Sequence, residues 1–541
     1  MNGKNLIIAA LYLYAAMPLT AAAAPQCRPD PFAALDHDYV LIGLGDSLTQ
    51  GTMDAADNSL NTPHAYLQRV HDSLAAVLDI ALSQPLLDLE EKRIAPFDLP
   101  TNLGIDGSDV FTMDGLSYYK RTGSLSNRRS RRYLCNGLLP WRLRDRYDNT
   151  LYPYNLLCGG PASQLDSAAW LLHFLQRRKA GRGIFIVWIG NNDSSSAALG
   201  YGTHNPVFAP LPYSIIESRL RPGIAAVLGW AQKGGLISFE PYTPASIERN
   251  LTDASDFAAQ FEHVLSRLET DVPGLYDRND VFICTLPYYS SVGYLFDSDD
   301  LEFYLGQLDP SYRVPPSFAR AALPGEPVTD FTRGDRVNLI TFMCMYGLLA
   351  TGADAATVNR VLETDGGQND GLVLSENEQA VIRSRIDEFN SAIRQAVQKR
   401  SGSIRLIETG PWLNDILTGA EPFQIDEKRL TRKWVRGSSF TLDGVHPGYT
   451  GQAVIANKIT ESINAALGLA PPPADLSAIM AADPYIDHDG DGWAPGPTYA
   501  ASGMTGILFL FRDPDDADPE AMPALPADIW WLISDAILKL L

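Results

Sequence analysis

Two short motifs near opposite ends of the chain contain the residue types that nucleophilic catalysis needs. Ser47 stands in GDSLTQG, directly after the apolar run YVLIGLG. A serine hydroxyl attacks only when a base takes its proton, and the usual base is a histidine oriented by a carboxylate. Asp443 precedes His446 by three residues in DGVH, so one short turn can bring the carboxylate to the second N–H of the imidazole. These residue types predict acyl transfer through a serine.

A third motif supplies a candidate for stabilising the anion that such an attack creates. WIGNND follows a second apolar run, and the side-chain amide of Asn192 can donate to a substrate carbonyl oxygen. Asparagine is also a common turn residue after a strand, so Asn192 alone is a weak signal. The three motifs together, in this order, favour an enzyme.

The blocks GDSLTQG, GNND and DGVH resemble those of the SGNH/GDSL hydrolases, over roughly residues 38–468. The resemblance implies a flavodoxin-like three-layer α/β/α sandwich with a mainly parallel sheet. It also implies that Ser47 is the nucleophile and that Asp443 and His446 complete the triad. The backbone N–H of Ser47 and the side chain of Asn192 would be oxyanion donors, and no cofactor would be needed for catalysis.

The family's oxyanion-hole glycine has two candidates in this sequence. NLGIDGSDV offers Gly107 after Asn102, and its residue types match the family pattern better. NLLCGGPAS offers Gly160 after Asn155, at the more usual distance from the GNND block but with a proline next to the glycine. We predict Gly107 and keep Gly160 as the alternative.

Continuous apolar runs predict the scaffold behind these motifs, because parallel strands buried on both faces have this composition. Apolar residues recur at helical spacing before the third run and again between the third and fourth runs, in the second case after a capping box from Ser375 to Glu378. Alternating strands and helices predict an α/β sandwich, in which reactive groups gather beyond the carboxyl ends of the strands. The strand runs are 39–45, 182–190, 280–287 and 403–409; the helical stripes are Phe257, Phe261, Val264, Leu265 and Leu268, then Ile382, Ile386, Phe389, Ile393 and Val397.

Composition and the amino terminus bear on compartment and partners. The 541 residues carry a formal net charge of -21, which repels phosphate backbones and argues against nucleic-acid binding. Residues 1–23 combine a lysine, an apolar run and a small-residue tail, the pattern of a cleaved secretory signal. We therefore expect a secreted or periplasmic protein. An oxidising compartment permits disulfides. Cys135 and Cys158 are the best candidate pair, and Cys284 and Cys344 are expected to be buried free thiols.

The expected hydrolase domain, residues 24–470, contains three segments that fit an α/β pattern poorly. The insertion near 112–155 includes the basic stretch SNRRSRRYLCNG, for which a solvated loop is favoured over an anion-binding patch. The insertion near 194–245 is apolar and interrupted by proline and glycine, typical of a lid over the site or of packed helices. The insertion near 296–370 has no clear pattern.

A proline-rich break near 471–474 separates a C-terminal extension, 471–541, from the domain. Its stretch DHDGDGW alternates Asp487, Asp489 and Asp491 and then turns at a glycine, the first half of a calcium loop. The twelfth position of such a loop is Thr498 rather than a glutamate. A structural Ca²⁺ site and a plain Asp/Gly turn both remain open. The apolar end of the chain, DIWWLISDAILKLL, is expected to be a helix too short to span a membrane.

The sequence thus predicts hydrolysis of a small-molecule, lipid or glycan ester. The apolar insertion favours an acyl ester or lipid, with peripheral membrane contact as a possible accompaniment. The alternative within the same family is an O-deacetylase of polysaccharide, since the many aromatic residues also suit sugar stacking. A third reading is a calcium-dependent binding protein on an inactive hydrolase fold. The presence of Ser47, Asn192, Asp443 and His446 together argues against it.

Overall fold

The computed structural model describes residues 36–130, 132–135, 144, 146–178, 182–200, 242–272, 274–321, 334–363, 371–497, 511–520 and 523. Within these ranges the strands are β1 (Tyr39–Gly45), β2 (Ile80–Ala81), β3 (Leu116–Ser117), β4 (Arg128–Arg129), β5 (Arg182–Trp188), β6 (Asp280–Cys284), β7 (Leu295–Phe296), β8 (Arg336–Asn338), β9 (Val373–Leu374), β10 (Ile404–Ile407), β11 (Phe423–Ile425) and β12 (Lys428–Leu430). The helices are α1 (Ser47–Gln50), α2 (Tyr66–Ala75), α3 (Tyr119–Thr122), α4 (Arg146–Thr150), α5 (Tyr154–Cys158), α6 (Gln164–Arg178), α7 (Ser195–Leu199), α8 (Pro244–Asn250), α9 (Ala254–Asp271), α10 (Leu275–Arg278), α11 (Ser298–Leu308), α12 (Leu339–Ala350), α13 (Ala355–Asn359), α14 (Glu376–Gln398), α15 (Thr409–Thr418), α16 (Tyr449–Leu467) and α17 (Leu476–Ala481).

The central sheet has five strands in the order β10-β6-β5-β1-β2, and all four neighbouring pairs are parallel. The longest pairing joins β1 to β5 along their whole length, from Tyr39 opposite Arg182 to Gly45 opposite Trp188. Beyond their first residues, β1 and β5 are buried throughout, which explains their continuous apolar sequences. Their carboxyl ends meet at one edge of the sheet.

A sixth extended segment pairs with β1 beyond the point where β2 ends. Residues 101–105 run parallel to the second half of β1, with Leu103 N–H donating to Gly43 O at 2.8 Å and Ile105 N–H to Gly45 O at 3.1 Å. This pairing carries the chain to the carboxyl end of β1, beside Ser47. The loop that contains Gly107 therefore begins at the edge where the other motifs lie.

Helices pack on this sheet as an α/β/α sandwich, and the predicted fold class is confirmed. α2 packs against α16, while α9 packs against α14 and α6. The predicted capping box begins α14, where Ser375 Oγ accepts from Glu378 N–H and the Glu378 carboxylate accepts from Ser375 N–H at 2.9 Å. Both predicted helical stripes point into the core. The four predicted strands are also confirmed, although β5, β6 and β10 end at Trp188, Cys284 and Ile407, before the ends of the predicted runs.

The predicted insertions adopt structure of their own wherever they are described. In 112–155, Arg128 and Arg129 are exposed, as expected for a solvated loop, but Arg121 is buried and pairs with Asp109 at 2.5 Å. The segment 296–370 contributes most of a small antiparallel sheet, β7-β8-β9, with α11 and α12. Most of 194–245 lies outside the described residues. The C-terminal extension packs on the main core through buried Trp493.

Some predictions fall on parts of the chain that are not described. Residues 1–23, the proposed signal, lie outside the described residues, as does the final apolar stretch from 528 on. Among the described helices, none combines the length and the apolar composition needed to cross a membrane.

The predicted disulfide between Cys135 and Cys158 is wrong, because both residues are free thiols in the structure. Cys135 is buried, and its thiol contacts Asp148 O at 3.3 Å and Asn155 Oδ1 at 3.5 Å. Cys158 lies exposed at the end of α5. The predicted buried free thiol at Cys284 is confirmed. The prediction for Cys344 falls on a side chain that lies outside the described part of the structure.

Candidate active site

Ser47 stands at a tight turn from strand to helix. β1 ends at Gly45, and the side chain of Asp46 then caps α1 by accepting from Leu48 N–H at 3.1 Å. A Cβ on Gly45 would lie 2.2 Å from Thr49 Oγ1 and 2.4 Å from Trp188 O, so only glycine fits there. The turn presents Ser47 as the first residue of the helix, where the backbone N–H has no partner within the helix.

Asp443 and His446 share one short turn, as their spacing predicts. His446 Nδ1 lies 2.6 Å from Asp443 Oδ2, which also accepts from Ala55 N–H at 2.8 Å. Asp443 Oδ1 accepts from Thr441 Oγ1 at 2.8 Å and from the backbone N–H groups of Val445 and His446 at 2.8 and 2.9 Å. The carboxylate is thereby fixed in place and orients the imidazole.

The charges around His446 favour its protonated form. Burial lowers the pKa of His446, but the carboxylates of Asp443, Asp106 and Asp57 outweigh burial and raise that pKa to about 9. Burial raises the pKa of Asp443, yet the nearby imidazole and the backbone donors outweigh it and hold the pKa below its usual range. The pair is therefore an ion pair at neutral pH, and His446 becomes a base only after losing a proton.

Several carboxylates near this pair were not identified from the sequence. Burial raises the pKa of Asp46 to about 7, and burial together with the charge of Asp443 raises that of Asp54 to about 7. Burial likewise raises the pKa of Asp57 to about 6, against the lowering effect of Arg146. Asp54 lies in the stretch GTMDAADN but touches Asp443 across 389 residues of chain, with Asp443 N–H donating to Asp54 Oδ1 at 3.3 Å. No local spacing signals that contact.

Asn192 follows β5 in a short 3₁₀ turn, Asn191–Asp193. One hydrogen of its Nδ2 goes to Ser108 O at 2.9 Å, and Ser195 Oγ donates to its Oδ1 at 3.1 Å. A side-chain amide has two N–H donors, so the second remains for a substrate oxygen. The neighbouring Asn191 donates to Asp46 Oδ2 at 2.9 Å. The turn after β5 is thus bonded both to the serine turn and to the loop of Gly107.

The structure distinguishes the two candidate oxyanion glycines. Gly107 has φ +73 and lies next to Ser108, which Asn192 contacts, and its own N–H has no hydrogen-bond partner among the described residues. Gly160 N–H donates to Asn155 O at 2.9 Å at the end of a helix, and a Cβ there would meet nothing within 4 Å. The loop of Gly107 lies beside the serine turn, where Asp106 N–H donates to Gln50 Oε1 at 2.5 Å, and within the described residues the N–H of Gly107 is free to donate whereas that of Gly160 is not.

A cavity of about 80 Å³ lies beside Ser47 and His446, and both residues line it. Ser47 Oγ has no hydrogen-bond partner among the described residues, so it is not bonded to His446 in this conformation. Such contacts often form only when substrate binds. The rest of the wall is mainly apolar. It includes Leu413, Ile416, Leu417, Leu430, Val454 and Ile455.

The chain matches no family model and no curated protein. The chemistry of this site is therefore inferred from its own side chains.

None of the predicted metal residues lines this cavity. Asp487, Asp489 and Asp491 each offer one carboxylate oxygen, and these oxygens lie within 4.8 Å of one another. Asp489 forms a second such group with Asp513 and Asp516, which were not identified from the sequence. Both residues stand in the acidic stretch DPDDADP, which a search of the sequence for further carboxylate ligands would have found.

Proposed function

We propose that the protein is a secreted serine hydrolase of the SGNH/GDSL type that cleaves carboxylic esters through Ser47, His446 and Asp443. The observation that carries this proposal is that Ser47 and His446 line one cavity while Asp443 holds the far nitrogen of the imidazole at 2.6 Å. Nucleophile, base and orienting carboxylate are the parts that serine acyl transfer requires.

The reaction proceeds in two steps. Neutral His446 takes the proton of Ser47 Oγ, which attacks the ester carbonyl, and the developing oxyanion accepts from Ser47 N–H, Gly107 N–H and Asn192 Nδ2. The tetrahedral intermediate collapses to an acyl-enzyme, and His446 gives the proton to the leaving alcohol. Water, deprotonated by His446, then attacks the acyl group, and the acid leaves as Ser47 recovers its proton.

The cavity wall supports an acyl or lipid ester as the substrate class. The side chains of α15, β12 and α16 that line it are aliphatic, and burying an acyl chain there removes apolar surface from water on both partners. An acetyl group, as in an O-acetylated polysaccharide, would leave most of this wall without contact. The wall therefore favours longer acyl groups over the deacetylase alternative.

A chain-length series of p-nitrophenyl esters, assayed beside an O-acetylated polysaccharide, tests both parts of the proposal. We expect kcat/KM to rise from acetate to longer acyl chains and to fall to background in Ser47→Ala. Greatest activity on acetate or on the polysaccharide would overturn the acyl assignment while leaving the triad intact. Full activity in a folded Ser47→Ala variant would overturn the proposed nucleophile itself.

A further inference from the structure

Two acidic segments of the C-terminal extension converge away from the proposed active site. Oxygens of Asp487, Asp489 and Asp491 lie within 4.8 Å of one another, and so do oxygens of Asp489, Asp513 and Asp516. Calcium binds oxygens at about 2.3–2.6 Å, so the three oxygens of either group, which lie within 4.8 Å of one another, can contact one ion. Asp489 belongs to both groups and joins them into one five-carboxylate cluster.

Several of these carboxylates have a buried oxygen with no partner. Asp491 and Asp513 are 7% and 5% exposed, and the Oδ2 atom of each makes no hydrogen bond within the described residues. The Oδ1 atom of Asp491 accepts from Trp493 N–H at 2.7 Å, and that of Asp513 accepts from Asp515 N–H at 2.9 Å. Each side chain is therefore held by the backbone N–H of the residue two positions later. Asp489 Oδ2 is buried and unpartnered in the same way. A buried charged oxygen without a partner is costly unless a ligand satisfies it.

No described lysine or arginine forms an ion pair with this cluster. Within the described part of the chain, no lysine or arginine nitrogen lies within 4 Å of the five carboxylates, and the nearest basic side chain is that of His488, whose Nε2 lies 4.0 Å from Asp516 Oδ2. Lys428 Nζ donates to the backbone carbonyl of Asp487, at 2.5 Å, rather than to its carboxylate.

The remaining acidic group of the described chain differs in this respect. Asp297, with its neighbours Asp299 and Asp300, contacts Arg336, Arg432, Lys433 and Arg436. That group is an ion-pair network whose charge the chain itself balances. The five-carboxylate cluster has no such counter-charge among the described residues, so a bound cation would balance it.

We propose that the five-carboxylate cluster binds one or two Ca²⁺ ions and thereby joins residues 487–491 to residues 513–516. All its donors are carboxylate oxygens, which suit a hard divalent cation and not a transition metal that prefers nitrogen or sulfur. Asp513 and Asp516 supply the ligands that Thr498 cannot provide at the end of the first loop. Because Ca²⁺ takes many protein oxygens whereas Mg²⁺ usually keeps several waters and only one or two carboxylates, a cluster of five carboxylates suits Ca²⁺ better.

The calcium site ties the extension to the core of the protein. Trp493, whose N–H is held by Asp491, is fully buried, stacks with Phe511 at 6.2 Å and meets Tyr304 of α11 edge-on at 5.1 Å. Both acidic segments therefore flank one aromatic cluster, and the ion fixes the two segments against it.

Calorimetric titration of chelator-stripped protein with Ca²⁺, repeated with Mg²⁺, is the direct test. We expect one or two Ca²⁺ per chain, binding at least tenfold tighter than Mg²⁺, and a melting temperature that rises with Ca²⁺. Tb³⁺ should bind the same site and emit on excitation of the adjacent Trp493, with Ca²⁺ quenching the emission by displacement.

Two variants and a matched control complete the test. Asp513→Asn removes a buried ligand, and Asp516→Asn removes a half-buried one that the fold tolerates more easily. Each should weaken Ca²⁺ binding at least tenfold. Asp518→Asn changes an exposed carboxylate of the same segment and should bind as the wild type does. Absence of Ca²⁺ binding at millimolar concentration in folded wild type, or unchanged affinity in folded Asp516→Asn, would overturn the proposal. Labelling of Ser47 is measured separately, so this outcome does not depend on the ester hydrolase.

Discussion

Replacing Asp106 by asparagine should make the protein more active at neutral pH. The carboxylates of Asp443, Asp106 and Asp57 together outweigh burial and raise the pKa of His446 to about 9. With that pKa, only about 1% of His446 is neutral at pH 7, and the neutral form is the one that takes the proton of Ser47. For the wild type, kcat/KM should therefore rise about tenfold per pH unit from pH 6 to 8 and reach half its maximum near pH 9.

The Asp106→Asn variant removes one of the three charges that raise the pKa of His446. It also leaves Arg146, the ion-pair partner of Asp106, with Asp57 at 3.6 Å as its remaining carboxylate. Both changes disfavour the imidazolium, so the pKa of His446 should fall by about one unit. At pH 7 the neutral fraction, and with it kcat/KM, should increase about tenfold.

The assay is kcat/KM against pH from 5 to 10 on a soluble p-nitrophenyl ester, corrected for spontaneous hydrolysis. Glu90→Gln, which changes an exposed carboxylate of the same charge, is the control and should keep the wild-type midpoint. A wild-type midpoint between pH 6 and 7 would refute the electrostatic reasoning. An unchanged or higher midpoint in folded Asp106→Asn would refute it as well.

Three further variants test the turn, the buried carboxylate and the free thiol. Gly45→Ala should abolish activity and lower the free energy of unfolding by more than about 2 kcal/mol, measured by denaturant unfolding. The reason is that the added Cβ would lie 2.2 Å from Thr49 Oγ1. Wild-type activity in this variant would contradict the tight turn. Asp46→Asn should flatten the pH dependence of unfolding. Burial raises the folded pKa of Asp46 to about 7, so the folded state binds more protons and stability falls as pH rises from about 4 to 7; an unaltered slope in the variant would contradict that assignment. Cys158→Ser should leave the melting temperature unchanged, and iodoacetamide should alkylate Cys158 in the native protein, whereas a peptide cross-linked to Cys135 would contradict the free thiols.

The parts of the fold that could be predicted from the sequence are those with a local pattern. β1, β5 and β6 are mainly apolar runs because they are buried in a parallel sheet, and α14 carries both its cap and its stripe in the sequence. β10 is a partly buried strand at the edge of that sheet. β7, β8 and β9 are only two or three residues long, too short for any periodicity to show. Their pairing depends on the packing of α11 and α12 instead.

In the candidate site, too, the residues that could be predicted from the sequence are those with a local pattern. Ser47, Asn192, Asp443 and His446 were identifiable because each stands in a short motif whose neighbours specify a turn. Asp106 was not, since its effect on His446 depends on two distant loops meeting at the end of the sheet.

The oxyanion glycine and the disulfide show the same limit. Sequence spacing left Gly107 and Gly160 both open, and the course of 101–105 along β1 distinguishes them. The expected pairing of Cys135 with Cys158 failed because sequence separation does not say where two side chains point.

The central claim is that Ser47 is a nucleophile activated by His446, and covalent labelling tests it most directly. The purified protein is treated with a fluorophosphonate at pH 9, where half of His446 is neutral, and the adduct is located by peptide mass spectrometry. We predict one adduct, on the peptide that contains Ser47, and its loss in a His446→Gln variant that keeps the wild-type circular dichroism. An adduct on another serine, or no adduct on folded wild type, would contradict the claim.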